Sequence, residues 1–275
     1  MSIFSGHLHL QAASRADGRT VLSAQSFRAP FHLSKPYWDS DARSLLVQIV
    51  NPTAGILAGD RLESEVAVAA GAAVTLTTPS ASRVFQMRSG EATSSQRFTV
   101  APGSWLEVIP EPLVPHRGSR FRQITTIEAE AGSSLFYVDQ LMPGRLGHNE
   151  AWAWESLRLE TIVRLDGELI LRERMDVSGA DMKHLADFGR SGATACFANA
   201  ILITPESHPQ NPAWLSRLRS LHGKNLQLGI SALRKGGWSL KCVATDPIAL
   251  REGLRQVRTL LAQSYQRLSV DLRKL

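Results

Sequence analysis

Apolar and polar positions alternate along the first half of the chain in a pattern that repeats around three glycines. Apolar side chains stand five and three residues before each glycine, and three and five residues after it. Alternation with period two is typical of a strand that buries one face. The pattern therefore predicts three strand–turn–strand units, centred on Gly71, Gly103 and Gly132.

The units follow one another at intervals of roughly 30 residues, the size of one supersecondary unit in a stacked repeat protein. Because a single unit cannot bury its apolar face alone, neighbouring units are expected to stack and share a core. This predicts a mainly β fold with stacked, β-helix-like strands; a sandwich of unrelated hairpins is the alternative. Segments 78–83, 110–112 and 139–145 end the successive units, so they are expected to gather along one edge of the stack.

The remainder of the chain predicts a hairpin, two helices and a final strand pair. Asp166-Gly167 is a strong turn signal within 157–175, whereas 178–194 has a poor pattern and is predicted to be rich in loops. Helices are expected to begin at Asn211-Pro212 and at Pro247, with strands at 226–230 and 238–243 between them. We predict a single domain over 1–275, in which a β-rich stack (about 1–190) carries an α+β part (about 191–275) with two C-terminal α-helices.

Composition adds a basic balance. The 275 residues carry a formal net charge of +6, so an acidic protein or nucleic acid is a possible partner class. No apolar run reaches the roughly 18 residues of a membrane span, and no signal peptide is recognised, which predicts a cytoplasmic location. One local concentration of arginines falls on the last predicted helix, where a solvated basic face is expected: Arg251, Arg255, Arg258 and Arg267.

Segment 51–60 is a glycine-rich turn that ends in a carboxylate. Asn51-Pro52 stops an apolar strand, and Gly55 and Gly59 permit backbone conformations closed to other residues. A phosphate-binding loop is excluded because Gly59 is followed by Asp60 and not by Lys and Ser or Thr. Asp60 either caps its own turn or belongs to a binding site, and both interpretations stay open.

Other familiar catalytic patterns are missing from the sequence. There is no Gly-x-Ser-x-Gly nucleophile elbow and no His-Glu-x-x-His metal motif. Only His7 and His9 are close enough for joint ligation from one strand, and the two cysteines are expected to pack as small buried hydrophobes, so a structural zinc site is not expected. Carboxylates near the unit ends suit weak, exchangeable binding of a divalent ion; with Asp60 they are Glu111, Asp139 and Glu150.

Several motifs, taken in order, give the chain a family resemblance. The segment from Asn51 to Asp60 resembles the Asn-Pro-x-x-Gly-x-x-x-Gly-Asp motif of the urease accessory proteins called UreD or UreH. Segment 77–85 resembles the next motif of that family, 106–112 resembles its Leu-Glu-x-x-Pro-Asp/Glu-Pro motif, and 144–150 approximates its Gly-Arg-x-x-x-Gly-Glu region. The residues that carry these matches include Arg83, Glu111, Asp139, Gly144, Arg145 and Glu150.

The resemblance implies a non-enzymatic scaffold for nickel insertion into apo-urease. Members are β-rich stacks with two C-terminal helices; they bind UreF, which recruits the nickel-carrying GTPase UreG, and the accessory complex can dimerise. Nickel is expected to pass transiently through an internal water-filled route, with no tightly bound cofactor and no nucleic-acid or membrane partner. On this basis we predict that Asp60, Asp139 and Glu150 line the route, while Asn51, Gly55, Gly59, Arg83, Glu111, Gly144 and Arg145 shape its turns and motifs.

Two other classes of function remain as alternatives. A carbohydrate-active enzyme could use Glu111 and Asp139 as acid and base, and it would need a groove of exposed aromatic side chains, for which Trp105, Trp152 and Trp154 are the candidates. A basic module for an acidic partner or RNA would instead bind in a salt-sensitive manner.

Overall fold

The computed structural model describes residues 5–188, 194–204 and 212–272. Almost half of these residues lie in strands. The strands are β1 Ser5–Ser14, β2 Thr20–Arg28, β3 His32–Leu33, β4 Tyr37–Asp39, β5 Ser44–Val50, β6 Arg61–Val68, β7 Ala73–Thr77, β8 Ser82–Val84, β9 Ala92–Val100, β10 Trp105–Ile109, β11 Leu113–Pro115, β12 Arg120–Ala129, β13 Ser134–Leu141, β14 Ser156–Leu165, β15 Glu168–Val177, β16 Cys196–Ile203, β17 Leu226–Ala232 and β18 Trp238–Ala244. The α-helices are α1 Gly179–Phe188, α2 Ala213–Arg219 and α3 Pro247–Ala262.

The repeat builds a β-solenoid of about four turns from two facing sheets. The smaller sheet has the order β15-β14-β12-β9-β6-β1-β2, and the larger follows β17-β18-β16-β13-β10-β7-β5-β3, with β4, β8 and β11 attached. Each glycine-centred unit contributes its first strand to the smaller sheet and its second to the larger one. The two strands of a unit are therefore not hairpin partners, and the stacked prediction is confirmed over the sandwich of hairpins.

The register shows why the repeat is visible in the sequence. Val66, Phe98 and Ile127 are cross-strand neighbours on three parallel strands of the smaller sheet. Equivalent apolar positions after each glycine are neighbours in the larger sheet. These side chains face one another between the sheets and form one core. Stacking of equivalent positions is the reason each unit repeats the same spacing.

The segments that end the units gather along one edge, as predicted. β8 and β11 pair in parallel there, and Ile56 bridges to Val84 of β8. The Ser82 amide donates to the Pro112 carbonyl at 2.9 Å, and Met142 N–H donates to the Leu113 carbonyl at 2.9 Å. β8 and β11 thus form a short third face of the stack at this edge.

The C-terminal part extends the larger sheet and covers its outer face. β16 pairs antiparallel with β13, β18 with β16, and β17 with β18, while α2 and α3 pack on this side in a second core. The hairpin β14–β15, the strand pair β17–β18 and both C-terminal helices match the sequence prediction. Asn211, at the predicted start of α2, lies outside the described residues, which resume at residue 212.

Helix α1 was not predicted, because 178–194 was expected to be rich in loops. Its start carries a local signal: Ser178 N–H donates to Asp181 Oδ2 at 2.8 Å, and Asp181 N–H donates back to Ser178 Oγ at 3.2 Å. This reciprocal pair satisfies amide groups at the beginning of a helix in the manner of a capping box. Within the described ranges, no helix is both long and apolar enough to cross a membrane.

Candidate functional site

A cavity of about 500 Å³ lies between the two sheets. Apolar side chains of the solenoid core form part of its wall, among them Val66, Leu76 and Val108. Hydroxyl and amide groups form much of the rest, and Glu111 and Asp139 add two carboxylates; the polar wall includes Ser64, Ser94, Gln96, Gln123, Gln140 and Asn199. A polar chamber inside an otherwise apolar stack requires an explanation, because polar groups are costly to bury without partners.

Asp139 is the wall carboxylate with the most perturbed environment. Tyr137 donates its hydroxyl to Asp139 Oδ1 at 2.6 Å, and Thr161 donates to Oδ2 at 3.4 Å. Burial raises the pKa of Asp139 to about 6, although these two hydrogen bonds favour the ionised form and act in the opposite direction. The result is a carboxyl group in the cavity wall whose charge changes near neutral pH.

Polar residues at and beside the cavity follow the same glycine-centred repeat as the apolar residues of the solenoid core. Ser64, Gln96 and Thr125 each stand seven residues before a unit glycine, and they are neighbours across β6, β9 and β12. Asp139 stands seven residues after Gly132, in the place that Thr78 and Pro110 occupy in the earlier units, and all three of those residues line the cavity. Extending the period-two pattern by one step would have found this row from the sequence.

The loop between β5 and β6 forms another part of the wall. Asn51 Oδ1 accepts hydrogen bonds from Thr53 N–H at 3.0 Å and from Thr53 Oγ1 at 2.6 Å, which fixes the start of the turn. Gly55 has φ of 152°, and a Cβ there would lie 2.6 Å from both the Arg83 carbonyl oxygen and the Phe85 ring. Glycine at 55 thus lets the loop approach β8 closely, as the turn-shaping role requires.

Asp60 caps its own turn. Its Oδ2 accepts a hydrogen bond from Leu57 N–H at 2.8 Å, and its own N–H donates to the Leu57 carbonyl at 3.1 Å. Gly59, with φ of 84°, completes this turn without a close neighbour. The carboxylate is buried in the turn and is not part of the cavity wall, so the capping interpretation accounts for its position.

Glu150 is held by Arg145. The Arg145 guanidinium donates to both carboxylate oxygens, at 2.8 Å and 2.6 Å, and Arg117 N–H adds a third hydrogen bond at 3.3 Å. These bonds lower the pKa of Glu150 to about 2. Gly144 packs closely against the backbone of Glu150, since a Cβ there would lie 2.4 Å from the Glu150 carbonyl oxygen. Of the three residues predicted to line a route, the structure therefore places only Asp139 in the cavity wall.

Comparison with known protein families identifies the family of this chain. The model of the UreD urease accessory protein family matches residues 5–274, nearly the whole chain. The chain belongs to the UreD family. A urease accessory protein UreD from Opitutus terrae is 59% identical over 272 residues, which cover 99% of both chains. UreD from Yersinia enterocolitica is 35% identical over 214 residues, covering 74% of this chain and 66% of its own, and UreD from Yersinia pestis is 34% identical over 209 residues, covering 74% and 75%.

Membership of the UreD family supports a role in urease maturation. The positions of the tryptophans argue against the alternative of a carbohydrate-active enzyme. The three tryptophans expected to line a groove are all buried: Trp105 is 4% exposed, Trp152 6% and Trp154 3%. They belong to the apolar cores, where Trp152 and Trp154 pack with ring centroids 5.5 Å apart. The expectation of exposed aromatic platforms was wrong, because these side chains fill the interior of the UreD fold.

The expected basic face of the last helix was also wrong in part. Arg258 is mostly buried and pairs with Glu107, while Arg255 pairs with Glu252 on the surface of α3. Arg251 lies 3.7 Å from Glu111, and Arg267 follows α3 in a short 3₁₀ turn, where it donates to the Arg43 carbonyl. The basic face is therefore solvated at Arg251 and Arg255, whose side chains are 77% and 66% exposed, and the expectation fails at Arg258, which is buried against the larger sheet.

Proposed function

We propose that this UreD-family protein is a cytoplasmic, non-enzymatic scaffold that supports nickel insertion into apo-urease. In this proposal it binds UreF, and through UreF the nickel-carrying GTPase UreG, in an accessory complex that can dimerise. Nickel is the cargo and passes through the cavity between the sheets without a tightly bound cofactor. Nucleotide hydrolysis belongs to UreG, in agreement with the absence of a phosphate-binding loop from this sequence.

The observation that carries the proposal is the polar cavity with Asp139 in its wall. A route for a metal ion must offer ligands that exchange quickly, and sparse oxygen ligands meet that need better than thiolate or imidazole cages. The cavity wall supplies hydroxyl, amide and carboxylate oxygens. Cys196 and Cys242 do not compete, because burial raises the pKa of each thiol to about 12 and both therefore stay protonated.

The cavity wall also reaches the surface. Asn51, Ser80 and Arg83 are exposed at the edge where the segments that end the units gather. Asn199 is also exposed, on β16 opposite Asp139 of β13. In this proposal, these exposed wall residues mark the points at which an ion would enter and leave the cavity. They support passage through the molecule over storage inside it.

Two neighbouring serines on β9 allow a matched test. Ser94 is buried and faces the cavity, whereas Ser95 is exposed on the outer face of the same strand. Ser94→Leu should narrow the cavity, and it should lower both urease activity in cells and the nickel content of purified urease several-fold. Ser95→Leu should leave both near wild type.

Recovery of the partner complex separates a blocked route from a misfolded scaffold. Ser94→Leu protein should still co-purify with UreF, UreG and urease. If the complex forms and urease acquires its full nickel content, nickel does not need this cavity and the route is refuted. If neither wild-type nor variant protein recovers these partners, the scaffold role itself fails.

A further inference from the structure

Four residues with metal-ligating side chains lie side by side on the outer face of the smaller sheet, away from the cavity. His7 and His9 lie on β1, and β1 pairs in parallel with β6 so that His7 is opposite Glu63 and His9 is opposite Glu65. The residues between them, such as Leu8 and Ser64, face inwards. The sheet therefore separates this His–Glu quartet from the space between the sheets.

The spacing of the quartet suits a single ion. Adjacent strands lie about 4.8 Å apart and alternate residues of one strand about 6.7 Å apart, so the four side chains stand at the corners of a small rectangle. The rings of His7 and His9 have centroids 5.0 Å apart and are tilted by 40°. Two imidazoles on one face of a strand at this separation can bind the same ion.

One imidazole already has an orienting partner. His7 Nε2 is 2.9 Å from Ser26 Oγ on β2, which leaves its Nδ1 available to a metal. An outer hydrogen bond of this kind fixes ring orientation in metal sites. The bond therefore holds one ligand of the quartet in a defined position.

The carboxylates of the quartet are available. Glu63 and Glu65 are exposed, and neither enters an ion pair among the described residues. In their present rotamers no three ligand-type side chains of the described ranges converge on one point. Rotation of the exposed glutamate side chains would bring a carboxylate to the imidazole pair, and such rotation is inexpensive at the surface.

We propose that His7, His9 and at least one of Glu63 and Glu65 form an external binding site for one first-row divalent ion. Imidazole with carboxylate favours Zn²⁺, Ni²⁺ or Cu²⁺ over Mg²⁺ and Ca²⁺, which prefer all-oxygen sites. The site is exposed to solvent and lacks thiolates, so a bound ion exchanges readily with ions in solution. It does not depend on the proposed route, because the two lie on opposite faces of the sheet.

Titration of the untagged full-length protein with Ni²⁺ and with Zn²⁺ tests the site. His7→Ala/His9→Ala should remove one binding event or weaken it at least about tenfold, and Glu63→Gln/Glu65→Gln should weaken it several-fold, as expected for loss of a ligand. His148→Ala, another exposed histidine, should bind as wild type does. With Cu²⁺, electron paramagnetic resonance should show coupling to two imidazole nitrogens that the double histidine variant lacks.

All of the substituted side chains are exposed or partly exposed, so the variants should keep the wild-type melting temperature, which confirms that they are folded. Unchanged stoichiometry and affinity in the folded double histidine variant would overturn the proposal. Equal loss in His148→Ala would do the same, because it would indicate general binding to surface histidines. Altered urease activation is not needed for the site to stand.

Discussion

At the scale of single residues, the pKa of Asp139 links the cavity to stability. Burial raises this pKa from 3.8 to about 6, so the folded protein binds the proton more tightly than the unfolded chain does. The stabilisation is complete below about pH 4 and is lost as pH rises through about 6. The ionised carboxylate therefore costs stability at neutral pH, a cost that a structural role alone does not explain.

Asp139→Asn should remove this pH dependence. Near pH 4 the variant and wild type should be about equally stable, while above pH 7 the variant should be more stable by up to about 3 kcal/mol, since each pKa unit corresponds to about 1.36 kcal/mol. Urea unfolding at several pH values measures the difference. Asp17→Asn, at an exposed turn, is the control and should show no such trend. A variant that is less stable at every pH would contradict the assignment of burial as the dominant cause.

At the scale of elements, α3 is anchored to the larger sheet by a buried ion pair. Arg258 donates to Glu107 at 2.6 Å and 3.1 Å, and Thr75 donates to the same carboxylate at 3.2 Å. Glu107 is fully buried and the Arg258 side chain is only 14% exposed. Removal of one partner leaves an uncompensated charge in a place where it cannot be hydrated.

Arg258→Met should therefore lower the free energy of unfolding by about 3–5 kcal/mol. Arg255→Met is the matched control on the same helix, because Arg255 pairs at the surface with its side chain 66% exposed, and such pairs contribute about 0–1 kcal/mol. Chemical denaturation of both variants gives the comparison. Adding Glu107→Gln to Arg258→Met should recover part of the loss, and equal small effects in the two single variants would show that the buried pair does not anchor the helix.

Comparison of the predicted strands and helices with the observed ones shows which contacts the sequence could predict and which it could not. The spacing around Gly71, Gly103 and Gly132 identifies the strands because stacked positions share one environment. Contacts between residues far apart in sequence could not be predicted, because no local sequence pattern links His7 with Glu63 or Arg258 with Glu107. The motifs also led us to group three carboxylates that have separate roles in the fold. Asp60 caps a turn, Glu150 forms an ion pair and Asp139 lies in the cavity wall.

At the scale of the whole molecule, the larger sheet belongs to two cores at once. Val74, Leu106 and Leu135 point into the solenoid, whereas Ala73, Trp105 and Phe136 pack in the core that contains α2 and α3. Every residue of β7 and β10 is buried for this reason. If α2 and α3 detach, the apolar outer face of the larger sheet becomes exposed. The strands that carry this face also form one wall of the solenoid core, so that core is weakened as well.

Shared strands predict that the two layers unfold together. In urea, amide hydrogen exchange measured after brief labelling should show β9, in the solenoid, and α3, in the outer layer, losing protection at one common midpoint. Arg258→Met should shift both midpoints equally, although Arg258 contacts only the side of the larger sheet that α3 covers. Loss of protection in α3 at a lower urea concentration, with β9 still protected, would instead mean that the C-terminal part unfolds as a separate unit. The single domain predicted over 1–275 would then have to be divided near the start of β16.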